Sequence, residues 1–211
     1  MNVHHAQELQ RLKTDFAAHK DAVRARLAEF ALVKPEEYFY ELVYCLLTPQ
    51  SSAVNAGWVV AILRDADARK EELHLADTLR NKLHYIRFHN TKAHRIREAR
   101  LRMPQVTEKV LQTTDSAELR SWLVANVNGL GWKEASHFLR NIGRRDLAIL
   151  DRHILRNLVR CGVLRSMPKT LTAKRYLSIE RRFAKFAVMT GIAMDELDLL
   201  FWSRETGQIL K

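Results

Sequence analysis

The chain has 211 residues and carries 35 Lys and Arg against 24 Asp and Glu, a formal net charge of +11 with a sequence pI near 9.9. That length can bury a core without disulfide or metal staples, and so large a positive excess favours a polyanionic partner, because each neutralised phosphate releases condensed counterions. The two cysteines, Cys45 and Cys161, have no C-x-x-C spacing, which excludes a disulfide framework and a cysteine-ligated metal cluster and fits a reducing cytosol.

The opening residues, MNVHHAQELQRLKTDF, lack the apolar stretch of a signal peptide, and no window approaches eighteen uninterrupted apolar residues. A soluble, cytoplasmic protein with no membrane partner is therefore expected. Leu9, Leu12, Phe16, Val23, Leu27 and Phe30 recur at spacings of 3, 4, 7, 4 and 3. They form one stripe of a long amphipathic helix that Pro35 has to interrupt. Pro35, Glu36 and Glu37 suit the first turn of a second helix, which Pro49 closes. Further helices are predicted from about Ser52, from Asn90 as N-cap, and from Asp115, Lys133, Asp151, Thr172 and Met194. No convincing strand alternation competes, so the reading is all-α, with roughly nine or ten helices and brief loops.

Residues 126–158, NVNGLGWKEASHFLRNIGRRDLAILDRHILRNL, are the most informative stretch. Gly129-Leu130-Gly131 reads as a tight turn in which the glycines let the backbone reverse and Leu130 anchors it in the core. A helix follows at once near Trp132 and Lys133, and its unpaired N–H groups and dipole suit a phosphate. Taken alone, this motif fits an ordinary interhelical turn as well as a nucleic-acid clamp. A cation such as Lys133 in a first helical turn is mildly unfavourable, so its placement calls for a compensating use. Asp151, 18 residues further on, precedes the helical pattern Ile154, Leu155, Leu158 and suits an N-cap.

G-L-G-x-K followed by L-A-I-L-D-R-H-I-L resembles the helix-hairpin-helix glycosylase superfamily, in which a hairpin is followed by a lysine and, 18 residues later, an aspartate. Within it the chain looks most like the type 2 8-oxoguanine DNA glycosylases and abasic-site lyases. Three more stretches carry that likeness: L-L-T-P-Q-S-S at 46–52, I-R-F-H-N-T-K-A at 86–93 and L-F-W-S-R-E-T-G-Q-I-L-K at 200–211. The first thirty residues and 100–125 add no motif.

The resemblance implies a two-lobed helical bundle with an active cleft between lobes: residues 34–146 as the central lobe and 1–33 plus 147–211 as the second. It implies a monomer acting on double-stranded DNA that contains 8-oxoguanine or abasic sites, with no cofactor and no metal, associated with a prokaryotic nucleoid. Lys133 would be the nucleophile that forms a Schiff base; it must attack as the neutral amine, which burial, nearby cations and the positive pole of its helix favour. Glu134 is expected to point elsewhere on the helix. Asp151 would stabilise positive charge on the sugar and help deprotonate Lys133.

Base excision requires extrusion of the target nucleotide, and Phe88 and Trp202 are the candidate aromatic faces for it. Trp202 lies about 140° around the last helix from Leu197, off the apolar stripe of Leu197, Leu200 and Phe201. Lys211 would distinguish 8-oxoguanine from guanine, after Gly207 stops the last helix. Gly129 and Gly131 would contact DNA. Gln50 would enter the gap left by the flipped base, or else cap the turn at Ser51-Ser52. Two other readings remain open at this point. One is a non-catalytic hairpin module that binds DNA backbone. The other is a glycosylase for oxidised pyrimidines, whose usual four clustered cysteines this sequence lacks.

Overall fold

The computed structural model describes residues 3–71 and 74–209, which form ten α-helices and no strand. In chain order these are α1 (Val3–Ala31), α2 (Tyr38–Leu47), α3 (Ala53–Asp65), α4 (Leu75–Arg80), α5 (His89–Gln112), α6 (Ser116–Asn126), α7 (Trp132–Asn141), α8 (Arg152–Arg160), α9 (Ala173–Thr190) and α10 (Met194–Thr206). Short 3-10 turns occupy Pro35–Glu37 and Lys82–His84. The all-α expectation is met. No helix of the described residues is long and apolar enough to cross a membrane.

Side-chain caps set several helix starts where the sequence predicts them. Ser52 Oγ accepts from the Asn55 N–H, Asp115 Oδ1 from the Ala117 and Glu118 N–H groups, and Thr172 Oγ1 from the Arg175 N–H, satisfying donors that have no intrahelical partner. Two starts differ from expectation. Pro35, Glu36 and Glu37 form a separate 3-10 turn before α2. The N-cap of α5 is Phe88 rather than Asn90; Phe88 sits in the left-handed region at φ 59°, and its carbonyl accepts the Lys92 N–H at 2.9 Å.

Helix α5 also runs through Pro104, which removes one backbone donor and would ordinarily break a helix. Pro104 is exposed, while Ala99, Met103, Val106 and Val110 are buried. Burial of that stripe keeps the helix continuous through the proline.

The chain divides into two compact units, Val33–Phe138 and Met1–Leu32 with Leu139–Lys211. The sequence reading put the second boundary at 146/147, whereas the division falls within α7. The last turn of α7 and the glycine after it belong with the chain ends because they pack there: the Arg140 guanidinium lies 5.0 Å over the Phe30 ring, and Gly143 abuts the backbone of Phe30 and Ala31. In the Val33–Phe138 unit every residue of α2 is buried, and this helix packs against α3 and α5.

In the other unit α10 packs against α1, α8 and α9. Leu197, Leu200 and Phe201 have no exposed surface, and Phe201 stacks on Phe183 at 6.0 Å. Of the α1 stripe, Leu12, Val23, Leu27 and Phe30 are buried, while Leu9 and Phe16 are half-buried. Asp198 is buried beside Arg140 at 3.3 Å; burial pushes its carboxyl up to about 7 although Arg140 opposes the shift. Gly207 ends α10 at φ 75°, as the sequence predicts, with its N–H on the Ser203 carbonyl at 2.7 Å.

Gly143 has φ 87°, and a Cβ there would lie 2.8 Å from Ala31 Cα, a backbone atom with no room to retreat. Gly143→Ala is expected to destabilise the protein by at least about 1–3 kcal/mol from backbone strain, read as a lower urea midpoint at unchanged m-value.

Candidate active site

Helix α6 ends at Asn126, and a turn through Gly129 (φ 94°) leads directly into α7. Leu130 is buried and its N–H bonds the Val127 carbonyl at 3.2 Å, so it anchors the turn as expected. Gly129 also lies under the Arg95 side chain: a Cβ would sit 2.5 Å from Arg95 Cδ. From α6, the buried Arg120 places its guanidinium 4.9 Å over the Trp132 ring and donates to Ser136 Oγ at 3.1 Å, fixing the first turns of α7.

Lys133 stands in that first turn with its side chain 27% exposed. The expectation that Glu134 points elsewhere is wrong. Glu134 turns back to the helix start, where Oε2 accepts the Gly131 N–H at 3.2 Å, and this leaves Oε1 3.1 Å from Lys133 Nζ. The physical reason is the unpaired donor of Gly131: a glutamate three residues past the cap position is suited to satisfy it, and the return carries its second oxygen onto the neighbouring amine.

Phe88 and Gln50 lie in the same unit as Lys133, on two loops fastened together. Lys92, 2% exposed, donates from Nζ to the Leu47 and Pro49 carbonyls, each at 2.7 Å, and to Ser51 Oγ at 3.1 Å. The Arg87 N–H donates to the same Ser51 hydroxyl, and Asn55 Nδ2 donates to the Tyr85 carbonyl. Burial, followed by the charges of Arg95, Arg87 and Lys133, lowers Lys92 to about 8. Gln50 and Phe88 both hold positive φ, 56° and 59°, and both are exposed. Such geometry costs a non-glycine residue about 1–3 kcal/mol and persists only where its surroundings impose it. Ser52 caps α3, so Gln50 is not needed for that task.

Asp151 and Trp202 are brought together in the unit formed by the chain ends. Leu147, Ala148, Ile149 and Leu150 are buried in an irregular segment tied to α9: the Ala148 N–H donates to Glu180, and the Tyr176 hydroxyl donates to the Ala148 carbonyl and accepts the Leu150 N–H. At its end Asp151 caps α8, with Oδ1 accepting the His153 and Ile154 N–H groups, each at 2.8 Å. Its Oδ2 accepts the Trp202 indole N–H at 3.0 Å. Trp202 is half-buried where Leu200 and Phe201 are fully buried, which agrees with its place off the apolar stripe. Lys211 lies outside the described residues.

Sequence reasoning missed Lys92, Glu134, Arg120 and the indole bond to Asp151. Lys92 lies within the quoted 86–93 stretch, but nothing local marks a lysine as buried. Among the described residues no group of three or more His, Cys, Asp or Glu side chains is placed to hold a metal.

An all-helical chain whose glycine turn delivers a half-buried lysine into a helix start defines a helix-hairpin-helix protein. A family model described as 8-oxoguanine DNA glycosylase matches residues 23–192, and the chain belongs to that family. Among its relatives, the 8-oxoguanine DNA glycosylase/AP lyase of Fusobacterium nucleatum is 39% identical over 97% of this chain and 96% of its own. That of Korarchaeum cryptofilum is 42% identical over 91% of each. The crystal structure of the Methanocaldococcus jannaschii 8-oxoguanine glycosylase/lyase, in complex with a 15mer DNA containing 8-oxoguanine, matches with a TM-score of 0.86 at 33% identity, covering 97% of this chain and 98% of that one.

Lys92 titrates near 8 when folded and near 10.5 when free. Between those values the unfolded chain binds the extra proton, so folding gains stability as pH rises from about 8 towards 10.5. The melting temperature of the parent minus that of Lys92→Met should therefore increase across this window; a flat difference would show that Lys92 keeps its free-lysine titration.

Proposed function

We propose that this chain excises 8-oxoguanine from duplex DNA with Lys133 as nucleophile and then cleaves the abasic strand by β-elimination. The observation that carries the reading is the local setting of two residues: Lys133 opens α7 directly after the glycine turn, and Asp151 is held by three donors at the start of α8. Membership of the family and the DNA complex of a relative support the substrate.

In the proposed reaction the lone pair of neutral Lys133 Nζ forms a bond to the sugar C1′ while the bond from C1′ to the base breaks, its electron pair leaving with the base. Asp151 supplies negative charge against the cationic sugar, an effect that fixed groups deliver without reorganising. Loss of the amine proton and opening of the sugar ring yield the imine. Removal of a C2′ proton then expels the 3′ phosphate. The Lys133–Glu134 ion pair has to open first, and the Gly131 N–H keeps Glu134 at the helix start while it does.

Phe88 and Trp202 offer aromatic faces to the extruded base, Gln50 enters the vacated stack, and Lys211 reads the oxidised base. The Gly129 to Gly131 turn meets the backbone, with Arg95 adding positive charge beside Gly129. One chain supplies every group named, so a monomer suffices, working on chromosomal DNA in the cytoplasm.

Borohydride reduction on an 8-oxoguanine duplex should trap a covalent adduct with the parent and none with Lys133→Gln; a trapped Lys133→Gln would move the nucleophile elsewhere. A parent that binds the duplex without any adduct would favour the non-catalytic hairpin module. Asp151→Asn should lower the single-turnover rate by roughly 100-fold or more. Removing Lys211 should slow cutting at 8-oxoguanine far more than at a ready-made abasic site, and equal losses would take it out of base recognition.

A further inference from the structure

Three observations converge on the tryptophan of α10. First, its indole N–H meets Asp151 Oδ2 at 3.0 Å, while Oδ1 is occupied by two backbone donors. A carboxylate offers about four lone-pair positions, so among the described residues these three bonds leave one position on Oδ2 uncommitted. Both its identity and its direction follow from where the indole lies.

Second, the two helices that meet here cannot slide freely past each other. Asn157 of α8 is fully buried; its Nδ2 donates to the His153 and Phe201 carbonyls, and its Oδ1 accepts from Arg204. Arg204 also donates to Asp15 and Glu8 of α1 at 2.7 Å. One residue on, Glu205 pairs with Arg160 and lies 3.7 Å from both His153 and Arg156. Phe201 stacks in the core on the inward side. Residues on either side of Trp202 are therefore tied to α1, α8 and α9, so the indole arrives at Asp151 from a fixed direction.

Third, the ring itself is held by its surroundings rather than by the aspartate alone. His153, the residue that donates its backbone N–H to Oδ1, sets its imidazole edge-on to the Trp202 ring at 6.0 Å. A buried or half-buried indole N–H ordinarily finds an acceptor. Here the acceptor is the carboxylate to which the reaction assigns charge stabilisation.

We propose that Trp202 is a positioning residue for Asp151: its indole N–H fixes the carboxylate so that the remaining Oδ2 lone pair keeps one direction for the charge stabilisation assigned to it, in addition to any stacking by its ring. This rests on the reading of Asp151 given under the proposed function. The consequence separates Trp202 from a pure stacking residue. Stacking acts only while a base is present. Aiming Asp151 acts in both halves of the reaction, including cleavage at a site whose base is already gone.

Trp202→Phe keeps an aromatic face and deletes the donor. Single-turnover rates should be measured for the parent and this variant on an 8-oxoguanine duplex and on a duplex with a ready-made abasic site, with binding to an undamaged duplex as a control. Loss of one hydrogen bond to a charged group corresponds to about 10- to 100-fold. The expectation is a loss of that size in the rate constant on both substrates, with duplex binding unchanged. Parent-like cleavage of the abasic duplex by Trp202→Phe would overturn the proposal.

A second measurement does not depend on that variant folding. The Trp202 indole N–H resonance of the full chain should move to the position of a free indole in Asp151→Ala, and a resonance indifferent to that change would also overturn it. The two readings fail separately. If the parent itself neither cuts nor is trapped on the 8-oxoguanine duplex, the assigned reaction falls whatever the indole shows. If the parent reacts and Trp202→Phe equals it at the abasic site, only the positioning role falls.

Discussion

A helix start leaves backbone N–H groups without partners, and both halves of the proposed chemistry are built on how that requirement is met. At α8 the partner is Asp151, which spends one oxygen on two of those donors and keeps the other for the Trp202 indole. At α7 the partner is Glu134, which reaches back to Gly131 and thereby brings a carboxylate against Lys133. The two carboxylates, Asp151 and Glu134, are thus held by an obligation of the backbone. The same geometry makes them rigid, because moving either carboxylate would strand a donor.

A second constraint is electrostatic. The basic balance of the chain becomes local in the Val33–Phe138 unit, where Arg87, Lys92, Arg95 and Lys133 are close enough for each of the others to act on the Lys92 ammonium. One member of this set is buried and bonded to three oxygens. It therefore contributes more to loop geometry than to an exposed field, and two strained, exposed side chains, Gln50 and Phe88, project from the loops it joins.

Much of this was legible in the sequence where local rules decide. Helical periodicity and the caps at Ser52, Asp115, Asp151 and Thr172 foretold most element starts, and Gly207 foretold the end of α10. Local signals failed where tertiary burial overrides them. Pro104 would ordinarily break a helix, yet α5 passes through it with Met103 and Val106 buried. Asn90 is the better cap by type, but the chain starts α5 from a left-handed Phe88. For the proposed reaction, the motif shared with the family singles out Lys133 and Asp151, each of which stands at a helix start. Their partners could not be read in the same way. Trp202 reaches Asp151 across 51 residues of sequence, and Lys92 reaches Leu47 across 45.

The tie between Arg204 and Asp15 spans 189 residues. Helix α1 and the helix it packs against, α10, are separated in sequence by the whole Val33–Phe138 unit. Val23, Leu27 and Phe30 share a buried cluster with Leu199 of α10, so this core cannot close until the intervening Val33–Phe138 unit has been made. The Val33–Phe138 unit is therefore set to mature ahead of the core that α1 shares with α10, whose apolar stripe stays uncovered in the meantime.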